Sequence, residues 1–109
     1  MMGQFECTVV VDPGVCKMKT TIVAKMDMET MGVTYNIESD CASIRKIGEH
    51  LGSINPYAEI GSKLFDSVIY KTCNEYMSHL ACPVPSALVK ATEVAGGLGL
   101  KRNVTFNIT

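Results

Sequence analysis

The chain has 109 residues, with 10 Lys and Arg against 11 Asp and Glu, 47% apolar and 19% charged residues. That balance excludes a disordered chain and a general nucleic-acid binder, which would carry a basic stripe; no apolar run approaches the roughly 18 residues of a membrane span. What remains is one small globular domain over 1–109, able to bury a core without disulfide staples.

Strand alternation opens the chain. Phe5, Cys7, Val9 and Val11 alternate with Glu6, Thr8 and Val10, and Asp12-Pro13-Gly14 makes a turn. Met18, Thr20, Ile22, Ala24 and Met26 then alternate with Lys17, Lys19, Thr21, Val23 and Lys25. After a turn at Thr30-Met31-Gly32, Val33, Tyr35 and Ile37 alternate with Thr34, Asn36 and Glu38. Short links between these segments predict an antiparallel meander.

Helical spacing follows. Ile44, Ile47, Leu51 and Ile54 form one stripe, with Asp40 as its N-cap and Asn55-Pro56 as its stop. Tyr57 to Leu64 reads as a short helix or a loop. From Asp66, a second N-cap, Ile69, Tyr70, Cys73, Tyr76 and Met77 share a face. Pro83-Val84-Pro85-Ser86 opens the last helix, striped by Leu88, Ala91, Ala95 and Leu98. Asn103 to Thr109 alternates Val104, Phe106 and Ile108 and predicts a fourth strand. The expected fold is α+β: a two-layer domain with a mainly antiparallel four-stranded sheet and helices on one face, in the order βββαααβ.

Met1 to Glu6 has neither a basic region nor a long apolar stretch, so a cytoplasmic setting with reduced thiols is expected. The five cysteines are Cys7, Cys16, Cys41, Cys73 and Cys82, an odd number with no CxxC pair. In that compartment, cysteines in number are more often ligands or redox groups than staples. Cys7 is in phase with Phe5 and Val9 and reads as core. Cys16 is in phase with Met18 and Thr20, which turns it toward the helix layer at a sheet end. Cys41 follows the third strand, at an end that periodicity does not choose. Cys41 and Cys82 both adjoin predicted helix N-termini, where free N–H groups favour thiolates. His79-x-x-Cys82 offers an imidazole and a thiolate from one loop, and Cys73 precedes it on a helix face. The expected metal ligands are Cys16, Cys41 and Cys82 with Cys73 or His79 as the fourth, a set suited to an iron–sulfur cluster or zinc.

The other groups have structural explanations. Asp12 and Asp40 serve a turn and a cap, His50 is a helix-end surface residue, and Met18, Met26 and Met77 fit the core. Gly96-Gly97-Leu98-Gly99 closes a helix instead of opening one and is no phosphate loop.

Asp12-Pro13-Gly14-Val15-Cys16, Ser39-Asp40-Cys41 and His79-Leu80-Ala81-Cys82-Pro83-Val84-Pro85, followed by Ala91-Thr92-Glu93-Val94-Ala95, form a set spread over nearly the whole chain. The set resembles an uncharacterised family of small cysteine-containing proteins of methanogenic archaea and other anaerobes. Cys-Pro-Val-Pro is its most specific element, and Lys17-Met18 departs from the Gly-Phe expected there. The resemblance implies an anaerobic setting, in which exposed iron–sulfur clusters survive, and marks Cys16, Cys41 and Cys82 as motif positions. The leading expectation is a small metal-binding protein, with no catalytic constellation apparent. Two others stand beside it: a thiol-redox protein using the same cysteines as a reversible disulfide, and a protein-interaction module with inert buried cysteines. Expected partners are a protein client or redox partner, not nucleic acid or membrane, and the mixed polar sheet face leaves room for a homodimer.

Overall fold

The computed structural model describes residues 5–109. Three strands, β1 (Glu6–Val11), β2 (Thr20–Asp27) and β3 (Gly32–Ser39), form an antiparallel sheet in the order β1-β2-β3. The register pairs Val11 with Thr20 and Thr20 with Ser39. The end of β1, the start of β2 and the end of β3 therefore lie at one end of the sheet. The other end carries the turn between β2 and β3, closed by Met31 N–H donating to the Asp27 carbonyl at 2.7 Å with Met31 at φ 56°. Alternation gives the sheet one apolar face: Cys7, Val11, Ile22, Ala24 and Val33 are buried, while Glu6, Thr8 and Val10 face outward.

Four helices cover the apolar face: α1 (Ala42–His50), α2 (Pro56–Ile60), α3 (Val68–Tyr76) and α4 (Val84–Ala95), with a 3-10 turn at Leu64–Asp66. Helix α4 lies on β1 and β2, α1 lies on β3, and α3 packs between α1 and α4. Ile44, Ile47, Ile69, Val84, Leu88 and Ala91 meet the sheet residues in one core. Helix α2 approaches α4 so closely that a Cβ on Gly96 would stand 2.5 Å from the Pro56 side chain, which accounts for glycine there.

The direction of α4 fixes what its N-terminus meets. Tyr35 Oη and Thr92 Oγ1 are 2.5 Å apart, and Tyr35 stands opposite Ala24. Beyond the helix, a Cβ on Gly97 would touch the Phe5 ring, just ahead of β1. From Thr92 back to Val84 the helix rises about 12 Å. From Ala24 back to Thr20 the strand covers about 13 Å. Helix α4 thus starts over the Val11–Thr20–Ser39 end of the sheet.

The expected α+β architecture is present, with corrections. Among the described residues the sheet has three strands, not four: residues 100–109 form no strand and are exposed along their whole length. Alternation supplies a strand with two faces, but only a partner edge makes it part of a sheet. The sequence of elements gains a fourth helix, because Asn55-Pro56 both ends one segment and caps the next. Asp40 is not the N-cap of α1; its N–H donates to the Lys19 carbonyl at 3.1 Å, so it still belongs to the sheet end and Cys41 takes the cap position. Asp66 lies in the 3-10 turn and Ser67 caps α3. Helix α4 ends at Ala95, and Gly97 at φ 79° turns the chain away, which leaves Leu98 outside the stripe and exposed. Met18 is exposed and outside the core. No described helix is long and apolar enough to cross a membrane.

Candidate thiol site

The sheet topology answers which end Cys41 occupies. Cys16 lies in the loop from β1 to β2, and Cys41 directly follows β3, so both stand at the Val11–Thr20–Ser39 end. Cys82 precedes α4 by two positions and comes to that same end from the helix layer.

Each thiol has a distinct local setting. Asp12 Oδ1 accepts from Gly14 N–H at 3.1 Å, and the Gly14 carbonyl accepts from Lys17 N–H at 3.1 Å. Gly14 at φ 86° and Lys17 at φ 60° turn the chain out of its strand phase. Cys16 is therefore exposed on the loop, not turned under the sheet as its phase with Met18 and Thr20 predicts. Cys41 is tied down by its backbone: its N–H donates to Ser39 Oγ at 3.1 Å, and Ser39 Oγ lies 2.7 Å from the Oγ1 of buried Thr20. Arg45 adds a 2.8 Å bond to the Ser39 carbonyl. Cys82 donates its N–H to the His79 carbonyl at 3.3 Å and is half-buried. Cys73 sits on the inner face of α3, 3% exposed.

Electrostatics ties these settings together. Burial pushes the Cys82 thiol up from its ordinary value, the Val84 N–H beside it opposes that shift, and Cys16 and Cys41 push it up further. Burial pushes Cys73 up to about 12, with Cys82 adding to the shift. Like charge on Cys16 and Cys41 thus disfavours the Cys82 thiolate, and charge on Cys82 disfavours the Cys73 thiolate. The four thiols come from a sheet loop, a strand end, a helix face and a helix entry.

The remaining candidates stand apart. His79 is exposed, and its recorded bond to Cys82 is through its backbone carbonyl. Cys7 is buried mid-strand opposite Ala24; burial pushes its thiol up and Lys101 partly offsets that. His50 stacks on Tyr76 with ring centroids 4.7 Å apart. All five cysteines are free, and among the described residues no group of three or more His, Cys, Asp or Glu side chains is placed to hold a metal ion.

One buried carboxyl group is absent from the sequence reading. Glu59, 5% exposed, accepts from the Ser67 hydroxyl, from Val68 N–H at 3.0 Å and from Ile69 N–H at 3.1 Å. It closes the N-terminus of α3, while Ser67 Oγ accepts from Tyr70 N–H at 3.1 Å. Asn55 Oδ1 closes α2 by accepting from Tyr57 N–H at 2.9 Å and Ala58 N–H at 3.2 Å. By contrast α1 and α4 have no side-chain cap, and these two helices begin at Cys41 and just after Cys82. Asn-Pro is a sequence signal for a cap followed by the first helical residue; nothing local marks Glu59.

Residues 7–108 match the model of a family of unknown function (DUF6951). The chain belongs to this family. The match spans all five cysteines and reaches through the segment that follows α4. Neither a curated protein nor a solved structure matches the chain. Membership in DUF6951 thus establishes kinship, and the chemistry has to be argued from the thiols themselves.

Proposed function

We propose that this protein binds a thiophilic metal centre, zinc or an iron–sulfur cluster, through Cys16, Cys41, Cys73 and Cys82. The observation that carries this reading is that the sheet register sets Cys16 and Cys41 at one end of the sheet, the end over which α4 begins just after Cys82. The donor set fits: four sulfurs suit zinc or an iron–sulfur cluster, and hard divalent ions prefer oxygen. Cys73 is preferred to exposed His79 as the fourth ligand because its thiol is coupled to Cys82.

The uncapped N-termini of α1 and α4 support the same reading. Their free N–H groups favour negative charge beside Cys41 and Cys82. In the metal-free protein, burial and mutual repulsion hold Cys73 and Cys82 as thiols, and a bound cation reverses that balance and displaces their protons. Closing the shell requires the exposed Cys16 loop to draw inward. The job of the metal would be structural, electron transfer or delivery to a client.

The rival reading, a reversible disulfide, rests on the exposure of Cys16 beside half-buried Cys82. Inert burial fits Cys7 and Cys73 but not the exposed Cys16. Anaerobic purification separates these readings. A brown protein with iron and sulfide indicates a cluster, and colourless protein with one zinc per chain indicates zinc. Metal-free protein that takes up no zinc and forms one redox-labile disulfide overturns the metal reading.

A further inference from the structure

The segment after α4 has the pattern of a strand and no sheet to join. Val104, Phe106 and Ile108 are 61%, 73% and 90% exposed, and Asn103, Thr105, Asn107 and Thr109 alternate with them. Three large apolar side chains at period two would be buried on one face of a sheet and are in water here. The same chain has an edge to offer. Strand β1 is paired through β2 alone, and no strand among the described residues lies on its outer side. An open edge presents a row of backbone donors and acceptors, which natural sheets cover or protect.

Segment and edge start close together. The turn after α4 packs Gly97 toward Phe5, and Lys101 lies near enough to Cys7 for its charge to reach the thiol. The segment enters with Lys101 and Arg102, and β1 opens with exposed Glu6, so the charges at that junction are complementary. Yet residues 103–109 make no bridge to β1 of their own chain and stand out in solvent. Each copy therefore carries one unpaired strand and one unpaired edge. Two copies related by a two-fold axis satisfy both, since the segment of each pairs with the edge of the other.

We propose that residues 103–109 add as a fourth strand to the β1 edge of a second copy, forming a symmetric dimer by reciprocal strand exchange. Val104, Phe106 and Ile108 are then covered on one face of a four-stranded sheet, and the backbone groups of β1 gain partners. The thiol site lies at one end of the sheet and does not take part. The dimer therefore stands or falls independently of metal binding.

Light scattering on the full chain, with reductant and chelator present so that neither disulfides nor metal link copies, tests the proposal. It predicts a particle of twice the 11.8 kDa chain mass. The double variant Phe106→Glu, Ile108→Glu, in exposed positions that leave the core intact, should halve that mass with an unchanged helical circular dichroism signal and the thermal midpoint of a folded domain. Amide exchange in the parent should show protection in both Thr8–Val10 and Val104–Ile108, lost in the variant. A parent that is monomeric at every concentration, with or without a protected segment, overturns the proposal. So does a variant that remains dimeric.

Discussion

Two pairs of helix entries in this small fold are finished in opposite ways. Helices α2 and α3 are closed by side chains, Asn55 on one and Ser67 with buried Glu59 on the other. Helices α1 and α4 are left without a side-chain cap, and a cysteine stands at each opening. A serine or asparagine at such an entry stabilises a helix by about 1 kcal/mol over a residue that cannot cap. No cysteine stands at either closed entry, and their caps serve stability. The open pair begins at Cys41 and just after Cys82, and in the proposed metal site the stability forgone there keeps N–H dipoles free for sulfur.

The largest expected effect falls on the closed pair. Glu59→Ala leaves the Ser67 hydroxyl and two backbone N–H groups without their acceptor, and urea denaturation should show a loss of about 3–5 kcal/mol. Glu59→Gln, which keeps one acceptor, should lose less. A loss below about 1 kcal/mol for the alanine variant would mean that the α3 entry is not held as described.

Next comes the alkaline limb of stability. The folded state raises Cys73 from the ordinary 9.0 to about 12. A raised value means that the stabilising contribution is complete below pH 9 and is lost as pH climbs toward 12. Cys73 alone should withdraw on the order of 2–3 kcal/mol by pH 11 in metal-free protein. The Cys73→Ala variant should show a correspondingly flatter decline in denaturation midpoint between pH 9 and 11. An unchanged decline would show that the thiol is not buried as it stands here.

A smaller effect sharpens the contrast itself. Cys41→Ser places a good capping hydroxyl at backbone angles suited to a cap, φ −91° and ψ 124°. The metal-free variant should gain up to about 1 kcal/mol in urea denaturation while its metal affinity falls. A variant that loses stability, or one that binds metal as tightly as the parent, would remove the trade-off.

Much of this architecture was legible in the sequence because it follows from period. The three strands were readable from alternation, and Ile44, Ile47, Leu88 and Ala91 from helical spacing, since each pattern is local. The helix entries at Cys41 and Cys82 were also legible, because both precede a change of period. What failed depended on partners distant in sequence or on local backbone turns that residue type does not announce. Val104, Phe106 and Ile108 alternate as a strand does, but no edge of their own chain receives them. Cys16 lost its phase to two left-handed residues, one of them Lys17, whose identity gives no warning of it. Glu59 carried no signal because its three donors lie eight to ten positions further along the chain. The end of the sheet that Cys41 occupies was not legible in the sequence; the register sets it at the Cys16 end, and α4 begins over that same end.

The central claim is that four particular thiols bind one metal centre, and a metal titration on single-residue variants addresses it most directly. Cobalt(II), a spectroscopic stand-in for zinc, should bind reduced parent protein with one equivalent per chain, giving thiolate charge-transfer and tetrahedral ligand-field bands. Zinc should bleach those bands. Replacing Cys16, Cys41, Cys73 or Cys82 by Ser, one at a time, should weaken binding at least about tenfold, the scale of losing one interaction near 1.4 kcal/mol. Cys7→Ser and His79→Ala should leave the titration unchanged. Absence of those bands in the parent, or equal loss on replacing Cys7, would contradict the assignment.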